Sequence, residues 1–471
     1  MKNSIDSIAL YIKGYEFGPG VPKIILTLAK PISAVSTESL IVVTAGENRQ
    51  VSQVYISDNE GHLIGRGESV YLTIEMPITF DQKQMKNVSS PFFFNGANYH
   101  HEWVRDYKVS IKGLLVTMGH EVVTLEIEDY NAITNLLSPD VAPFQYHSEY
   151  SGTYTNPLTK QDEALRLQCV AYEPETAKTA EKLPLLIWLH GQGEGGSDVD
   201  ITLLGNKVVA LAQPKIQAHF EGEGGTGAYI LALQCPTYWM DEGDGKNGVG
   251  AGVSRYTDIV MDAIQDFVSR NPKIDKNRLY LTGCSNGGYM TLNLAIHNPD
   301  YFAALIPQAA AYAYHCYQRQ SDGTCALSTD NGTFIQTDEV YFDEAKLNAI
   351  KDTPIWFIHA ADDTIVAPEN YSLPIYKSLL DSGATNAWFS YYESVEGSDI
   401  KGMTYPGHWS WLYFFNDEVF GVQSLADIKK ATDLSGFSPN NADKGGRSQA
   451  KVNGICYHNL FDWLNVQKKP F

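Results

Sequence analysis

Residues 277–291 read NRLYLTGCSNGGYMT, and the reading of this stretch decides the fold. Its first part, Arg278 to Cys284, is a short apolar run of the kind that forms a buried strand. An amphipathic helix is expected directly after it, from about 286 to 297. Between the two stands Gly283-Cys284-Ser285-Asn286-Gly287. The bare G-x-S-x-G pattern arises often by chance. With a strand before it and a helix after it, the pattern has the context of a nucleophile elbow. Glycines permit the tight turn, which lifts the Ser285 hydroxyl above the sheet edge. The turn also sets Ser285 at a helix N-terminus, where N–H groups and the helix dipole favour negative charge.

Outward from this elbow, strands alternate with helices. The expected strands are LRLQCVAY (165–172), LPLLIWLH (183–190), AYILALQC (228–235), AALIP (303–307), PIWFIHA (354–360) and AWFSYYES (387–394). The second is apolar almost throughout, as a strand buried on both faces should be. Helices are expected at 256–270 and near 370–381, with a last one at HNLFDWLNVQ. In the first of these, Ile259, Val260, Ile264, Phe267 and Val268 share one face and pack on the sheet. Such alternation implies an α/β fold, a mostly parallel sheet with helices on both faces. The first part of the chain differs. Runs such as IALYI (8–12), KIILTLA (23–29), SLIVVTA (39–45), SQVYIS (52–57), SVYLTIEM (69–76), WVRDYKVSI (103–111) and EVVTLEIE (121–128) alternate at period two between turn signals. About seven strands in this length fit an immunoglobulin-like β-sandwich. Two domains are therefore expected, residues 1–134 all-β and residues 135–471 α/β. Residues 135–157 read as a polar linker leading into the first α/β strand.

The chain has 471 residues, with 44% hydrophobic and 19% charged. That is globular composition with ample material for a core. The net charge is −20, which repels phosphate backbones and anionic lipid surfaces and argues against nucleic-acid or membrane-surface partners. No apolar run reaches the length of a membrane helix. The N-terminus lacks a signal-peptide core, so the chain as given is expected to be cytoplasmic or a secreted mature form. Six cysteines make no disulfide scaffold. Cys316 and Cys325 are close enough to bridge across a loop, with free thiols as the default.

A nucleophilic serine needs a base, and the base needs an orienting carboxylate; on this fold they follow in the order Ser, acid, His. Asp362 and Asp363 both lie on the turn after the strand 354–360, where the acid belongs. A plainer role, capping the next helix, is open to both. His408, in Tyr405-Pro406-Gly407-His408-Trp409, follows the last strand and a polar loop and is the base candidate. The remaining histidines fall in the β region or in the wrong order. His190 and His359, at strand ends beside the site, are expected to shape its loops. The oxyanion hole needs two backbone donors. Asn286 supplies one, and the loop His190-Gly191-Gln192-Gly193-Glu194-Gly195-Gly196 the other, Gln192 first and Gly193 next. That glycine-rich loop matches neither the dinucleotide nor the ATP-binding fingerprint.

The H-G-x-G-E-x-G loop, the QCP segment with Trp239, NRLYLTGCSNGGYMT, H-x-x-x-D-x-x-V and G-H-x-x-W together resemble the predicted peptidase/esterase branch of the α/β-hydrolases. That branch lies near dienelactone hydrolases, feruloyl esterases and polyhydroxybutyrate depolymerases. With the sandwich in front, the chain resembles bacterial esterases with an N-terminal immunoglobulin-like domain. The resemblance covers most of residues 165–411. It places the acid four residues after the strand-end His359, at Asp363 rather than Asp362. It departs from the pattern at Ala360, where glycine is usual, and in the stretches 311–345 and 412–452, expected to form a cap or pocket wall.

The implied chemistry is carboxylic-ester hydrolysis by Ser285, His408 and Asp363 through an acyl-enzyme, with no metal and no cofactor required. Short-chain or aryl esters of feruloyl or acetyl type, free or linked to polysaccharide, are the expected substrates. Two other readings stand beside it: a serine peptidase of prolyl-oligopeptidase type, and a polymer-binding protein on a hydrolase scaffold. The sandwich could bind polysaccharide or join copies into a homo-oligomer. Trp239 and Trp409 are expected near the substrate, since loops at the carboxyl ends of parallel strands rim the ligand crevice. For Trp239, and more so for Trp409 and Trp411, anchoring a loop is the competing role.

Overall fold

The computed structural model describes residues 4–321, 324–329 and 334–469. The chain divides into two compact units: residues 1–143 with 203–209, and residues 144–202 with 210–471.

The first unit holds two five-stranded sheets. One runs in the order Leu136–Leu137, Ile5–Tyr15, Gly18–Ile32, Ser69–Glu75, Gln53–Ser57. The other runs Glu121–Asn131, Lys108–Met118, Ile41–Thr44, Glu47–Arg49, with Ala34–Ser36 also on Lys108–Met118. Period-two patterning decides which side chains face inward. Along Glu121–Asn131, Leu125 and Ile127 are buried while Thr124, Glu126 and Glu128 are exposed. Ile8, Leu10 and Ile12 of the first sheet and Val109, Ile111 and Val116 of the second are likewise buried. The run 103–111, read as one strand, is broken. Its start belongs to a hairpin of Phe92–Asn95 with His100–Trp103, and the ladder resumes at Lys108. The unit extends to 143 because Leu136–Leu137 pairs in parallel with Ile5–Tyr15.

The second unit is built on eight strands: β1 (Tyr146–Thr155), β2 (Asp162–Tyr172), β3 (Leu183–Leu189), β4 (Tyr229–Gln234), β5 (Ile274–Cys284), β6 (Ala304–Gln308), β7 (Ile355–Ala360) and β8 (Ala387–Tyr392). Their order is β1-β2-β4-β3-β5-β6-β7-β8. β1 and β2 are antiparallel, β2 and β4 likewise, and the rest of the sheet is parallel. Every residue of β3, β4, β6, β7 and β8 is buried, which is why these strands read as continuous apolar runs. Helix α1 (Thr257–Arg270) buries Ile259, Val260, Ile264 and Val268, with Phe267 half-buried. Helix α2 (Asn286–His297) follows β5 after a single residue, and α3 (Ser372–Asp381) lies between β7 and β8.

β1 occupies residues read as linker. It is a half-exposed edge strand of alternating polar and aromatic residues, without the apolar run that marks the buried strands. At the opposite margin, the stretch expected as a cap or pocket wall lies along β8. Tyr391 donates to Gly445 O (2.9 Å), and Gln423 and Asn440 donate to Phe389 O and Tyr391 O (2.8 Å each). Those bonds occupy edge groups of β8 that would otherwise be open to another strand. Registers place Leu189 of β3 opposite Gly283 of β5, and Cys284 opposite Gln308 of β6. The carboxyl ends of these strands therefore lie level, and the loops leaving them gather at one place. Among the described residues no disulfide forms, and Cys316 and Cys325 are not bridged.

Candidate active site

Ser285 sits alone between β5 and α2, at φ 53° and ψ −110°. A side chain is strained at positive φ, at a cost of about 1–3 kcal/mol, and persists only where its surroundings over-determine it. They do so here. The Ser285 N–H donates to Gln308 O (2.8 Å), and its carbonyl accepts from Tyr289 (2.9 Å) and Ala311 (3.1 Å). The first turn of α2 also presses on the end of β3. A Cβ on Gly287 would collide with Leu189 O and lie 2.6 Å from His190 O. Glycine is required there because the helix and the start of the loop after β3 meet backbone to backbone.

His408 lies on a short turn, Gly407–Trp409, and only 8% of it is exposed. Its Nε2 is 2.9 Å from Ser285 Oγ and its Nδ1 is 2.8 Å from Asp363 Oδ2. The nitrogen facing the carboxylate carries the proton, which leaves Nε2 to accept from the serine hydroxyl. The other oxygen of Asp363 accepts from the Ile365 and Val366 N–H groups, both at 2.9 Å. Burial would raise the Asp363 pKa. Hydrogen bonds from His359 and His408 outweigh burial and hold the carboxyl well below the usual carboxylate range. Asp362, its neighbour, is exposed.

Two residues complete this arrangement. His359, at the end of β7, is fully buried and hydrogen-bonded to Asp363. Its Nε2 faces two acceptors, Asp363 Oδ2 at 3.0 Å and Val366 O at 2.9 Å, so Nε2 carries a proton. Its Nδ1 is 2.6 Å from Ser372 Oγ. Gly407 enters the sequence reading only as the first residue of the G-H-x-x-W pattern. A Cβ there would strike Asp362 Oδ1 and lie 2.5 Å from Asp363 N. Its missing side chain lets the His408 turn lie flat against the turn that carries Asp362 and Asp363.

Of the oxyanion candidates, Asn286 opens α2, where N–H groups have no partner within the helix. Gln192 sits on the loop after β3. Among the described residues neither N–H is taken by a protein acceptor. The loop is shaped from beneath by His190, whose Nδ1 lies 2.7 Å from Gly191 O and whose Nε2 accepts from Cys235 N–H (3.2 Å). Trp239, expected at the pocket wall, is 0% exposed. Its indole N–H donates to His190 O (3.0 Å) and its ring lies 4.8 Å from the His190 ring. It supports the loop from within the core, which leaves it no open face for a ligand. Trp409 is half-buried against Tyr405, and Trp411 is buried edge-on to His408 at 5.1 Å. Cys284 is no competing nucleophile, since burial pushes its thiol well above the ordinary range.

Residues 7–124 match the esterase Ig-like N-terminal domain family, and residues 237–394 match the prolyl oligopeptidase family. A crystal structure of a thermostable esterase aligns with a TM-score of 0.60 at 22% identity, covering 87% of this chain and 96% of that one. Poly(3-hydroxyalkanoate) depolymerase C of Paucimonas lemoignei is 30% identical over 138 residues, which are 28% of this chain and 30% of that protein. The match thus spans under a third of that curated relative's length. An acylaminoacyl peptidase of Pyrococcus horikoshii aligns at 16% identity with a TM-score of 0.35, over 88% of this chain and 55% of that one. The chain thus joins an esterase Ig-like domain, matched over residues 7–124, to a domain of the prolyl oligopeptidase family, matched over residues 237–394, on an α/β-hydrolase fold.

Proposed function

We propose that the protein is a carboxylic-ester hydrolase in which Ser285 is the nucleophile, His408 the general base and acid, and Asp363 the orienting carboxylate. The observation that carries this reading is the unbroken run of hydrogen bonds Ser285–His408–Asp363. Ser285 Oγ attacks the ester carbonyl and passes its proton to His408 Nε2. The carbonyl oxygen takes up the negative charge and is met by the Gln192 and Asn286 N–H groups. The tetrahedral intermediate collapses as His408 returns the proton to the leaving alcohol. Water, deprotonated by the same imidazole, then releases the acid and restores Ser285.

Short-chain or aryl esters, including those carried on a polymer, are the proposed substrates. The relative named as a poly(3-hydroxyalkanoate) depolymerase supports an ester over an amide. A peptidase reading is favoured by the prolyl oligopeptidase match over residues 237–394. Esters are preferred because the first unit is a sandwich of two five-stranded sheets, far short of the propeller that usually precedes such peptidases. The test is a panel of p-nitrophenyl esters of rising acyl length, a feruloyl ester and peptidyl p-nitroanilides, run with wild type and Ser285→Ala. Ester turnover that falls at least about 10³-fold in Ser285→Ala supports the reading. Turnover of the anilides alone moves the function to the peptidases, and an unaffected Ser285→Ala removes the nucleophile.

A further inference from the structure

The loop between β4 and α1 carries an element of the site that no motif announces. Asn286 Nδ2 donates to Asn247 Oδ1 at 2.6 Å, and Asn247 Nδ2 donates to Gln192 Oε1 at 3.2 Å. Asn286 Oδ1 in turn accepts from the Met240 N–H at 3.2 Å. One exposed asparagine thus joins the side chains of the two residues proposed to supply the oxyanion hole. The direction of each bond is fixed by the next. Met240 N–H can only donate, so the Asn286 oxygen faces it and the Asn286 amide nitrogen faces Asn247.

The loop that presents Asn247 is itself held. Gly248 N–H donates to Met240 O (3.0 Å), closing the segment onto its own start. Asp241 Oδ1 accepts from Gly243 N–H (2.8 Å) and Gly245 N–H (3.0 Å). At the far end, Gly250 O accepts from Ala313 N–H (2.9 Å), two residues beyond Ala311, whose own N–H is bound by Ser285 O. The strap is therefore moored on both sides of the elbow. Gln192 is exposed on a loop, and among the described residues Asn247 is its side-chain partner.

We propose that Asn247 is a positioning residue for the oxyanion hole: by joining Gln192 to Asn286 it fixes the spacing and aim of their two N–H donors. The proposal rests on the ester-hydrolase reading for its chemistry. Donors aimed in advance at the developing oxyanion cost no reorganisation during the reaction, and small losses of aim are large losses of rate. Asn247 touches no reacting atom, so its effect belongs to the transition state rather than to substrate binding.

The test compares wild type, Asn247→Ala, Gln192→Ala and the double variant. Hydrolysis of p-nitrophenyl acetate, affinity for phenylboronic acid by calorimetry and thermal melts are measured for each. Asn247→Ala should lower kcat roughly ten- to a hundredfold, short of the roughly 10²–10³-fold that follows loss of a whole donor. KM should stay within about twofold, boronate affinity should fall in proportion to kcat, and the melting temperature should hold. Gln192→Ala cuts the same tie while keeping its backbone N–H, so the double variant should be no worse than the poorer single one. Unchanged kcat and boronate affinity in Asn247→Ala would overturn the proposal, as would additive losses or a rise in KM alone. Wild type inert towards every ester would instead sink the ester reading, and boronate affinity would still judge Asn247.

Discussion

Asp362 and Asp363 are chain neighbours in opposite surroundings. Asp363 is buried and accepts four hydrogen bonds, two from backbone N–H groups and two from imidazoles. Asp362 is exposed, and its carboxyl is pushed up by partial burial and by the charge of Asp363. Asp363→Asn should cost roughly 10⁴-fold in kcat, because an amide facing Nδ1 favours the tautomer that cannot accept from Ser285. Asp362→Asn should stay within about threefold of wild type. Steady-state kinetics on one ester decides, and the reverse ranking would move the role to Asp362. At this scale the sequence is legible only in part. Ser285 stands out because it sits among glycines that a tight turn demands, and His408 because it follows the last strand and a polar loop. Two adjacent carboxylates on one turn carry no pattern that tells them apart, and only the family spacing does so. Asn247 is invisible because a polar residue in a glycine-rich loop has no periodicity to betray its partners. Trp239 misleads because a loop position says nothing of which way an indole turns.

Elements meet at this site through backbone contact rather than side-chain packing. The His408 turn rests on the acid loop at Gly407, as α2 rests on the end of β3 at Gly287. Gly407→Ala should push the turn away and lengthen the His408–Asp363 and His408–Ser285 bonds together. A displacement of about 1 Å is expected to cost roughly 10²-fold in kcat. The melting temperature should fall too, since backbone cannot move aside as a flexible side chain can. A Gly407→Ala enzyme with wild-type kcat would show that the turn has slack. Elements whose faces are uniformly buried were the easiest to read. The expected helix 286–297 coincides with α2, and the strands at 183–190, 354–360 and 387–394 deviate only at their ends. The strand β1 was hidden because an edge strand with solvent on one side needs no apolar run.

For the molecule as a whole, one charge cluster around the buried Asp417 links acidity to stability. His219 Nε2 is 3.1 Å from Asp417 Oδ2 and its Nδ1 is 2.6 Å from Asp462 Oδ1, so both ring nitrogens face carboxylates. The hydrogen bond to Asp417 raises the His219 pKa above 6.5; burial opposes this and the bond to Asp462 adds to it. Burial would raise Asp417, but its bonds from His219 and Asn459 hold it below 3.8. The histidine's share of stability is complete below 6.5 and fades as pH rises through its raised pKa. The aspartate's share is complete above 3.8 and fades as pH falls through its lowered pKa. The gap in melting temperature between wild type and His219→Gln should therefore be widest between about pH 4 and 6.5 and narrow on either side. A gap independent of pH would mean that the ring contributes by packing alone. The two-part organisation was legible at this scale because period-two strands give way to alternating strands and helices. The cluster was not, since His219, Asp417 and Asp462 are far apart in sequence.

The backbone at Ser285 has a further consequence, for heredity rather than for chemistry. Its φ of 53° suits glycine better than any residue with a side chain. Ser285→Gly and Ser285→Ala both lose the hydroxyl, but only the glycine sheds the strain. Ser285→Gly should therefore melt above Ser285→Ala, the reverse of the usual order for these two residues. If alanine melts higher, the turn holds no strain to release. If glycine does, selection for a stable fold alone would drift this position to glycine, and serine persists there only while turnover is under selection.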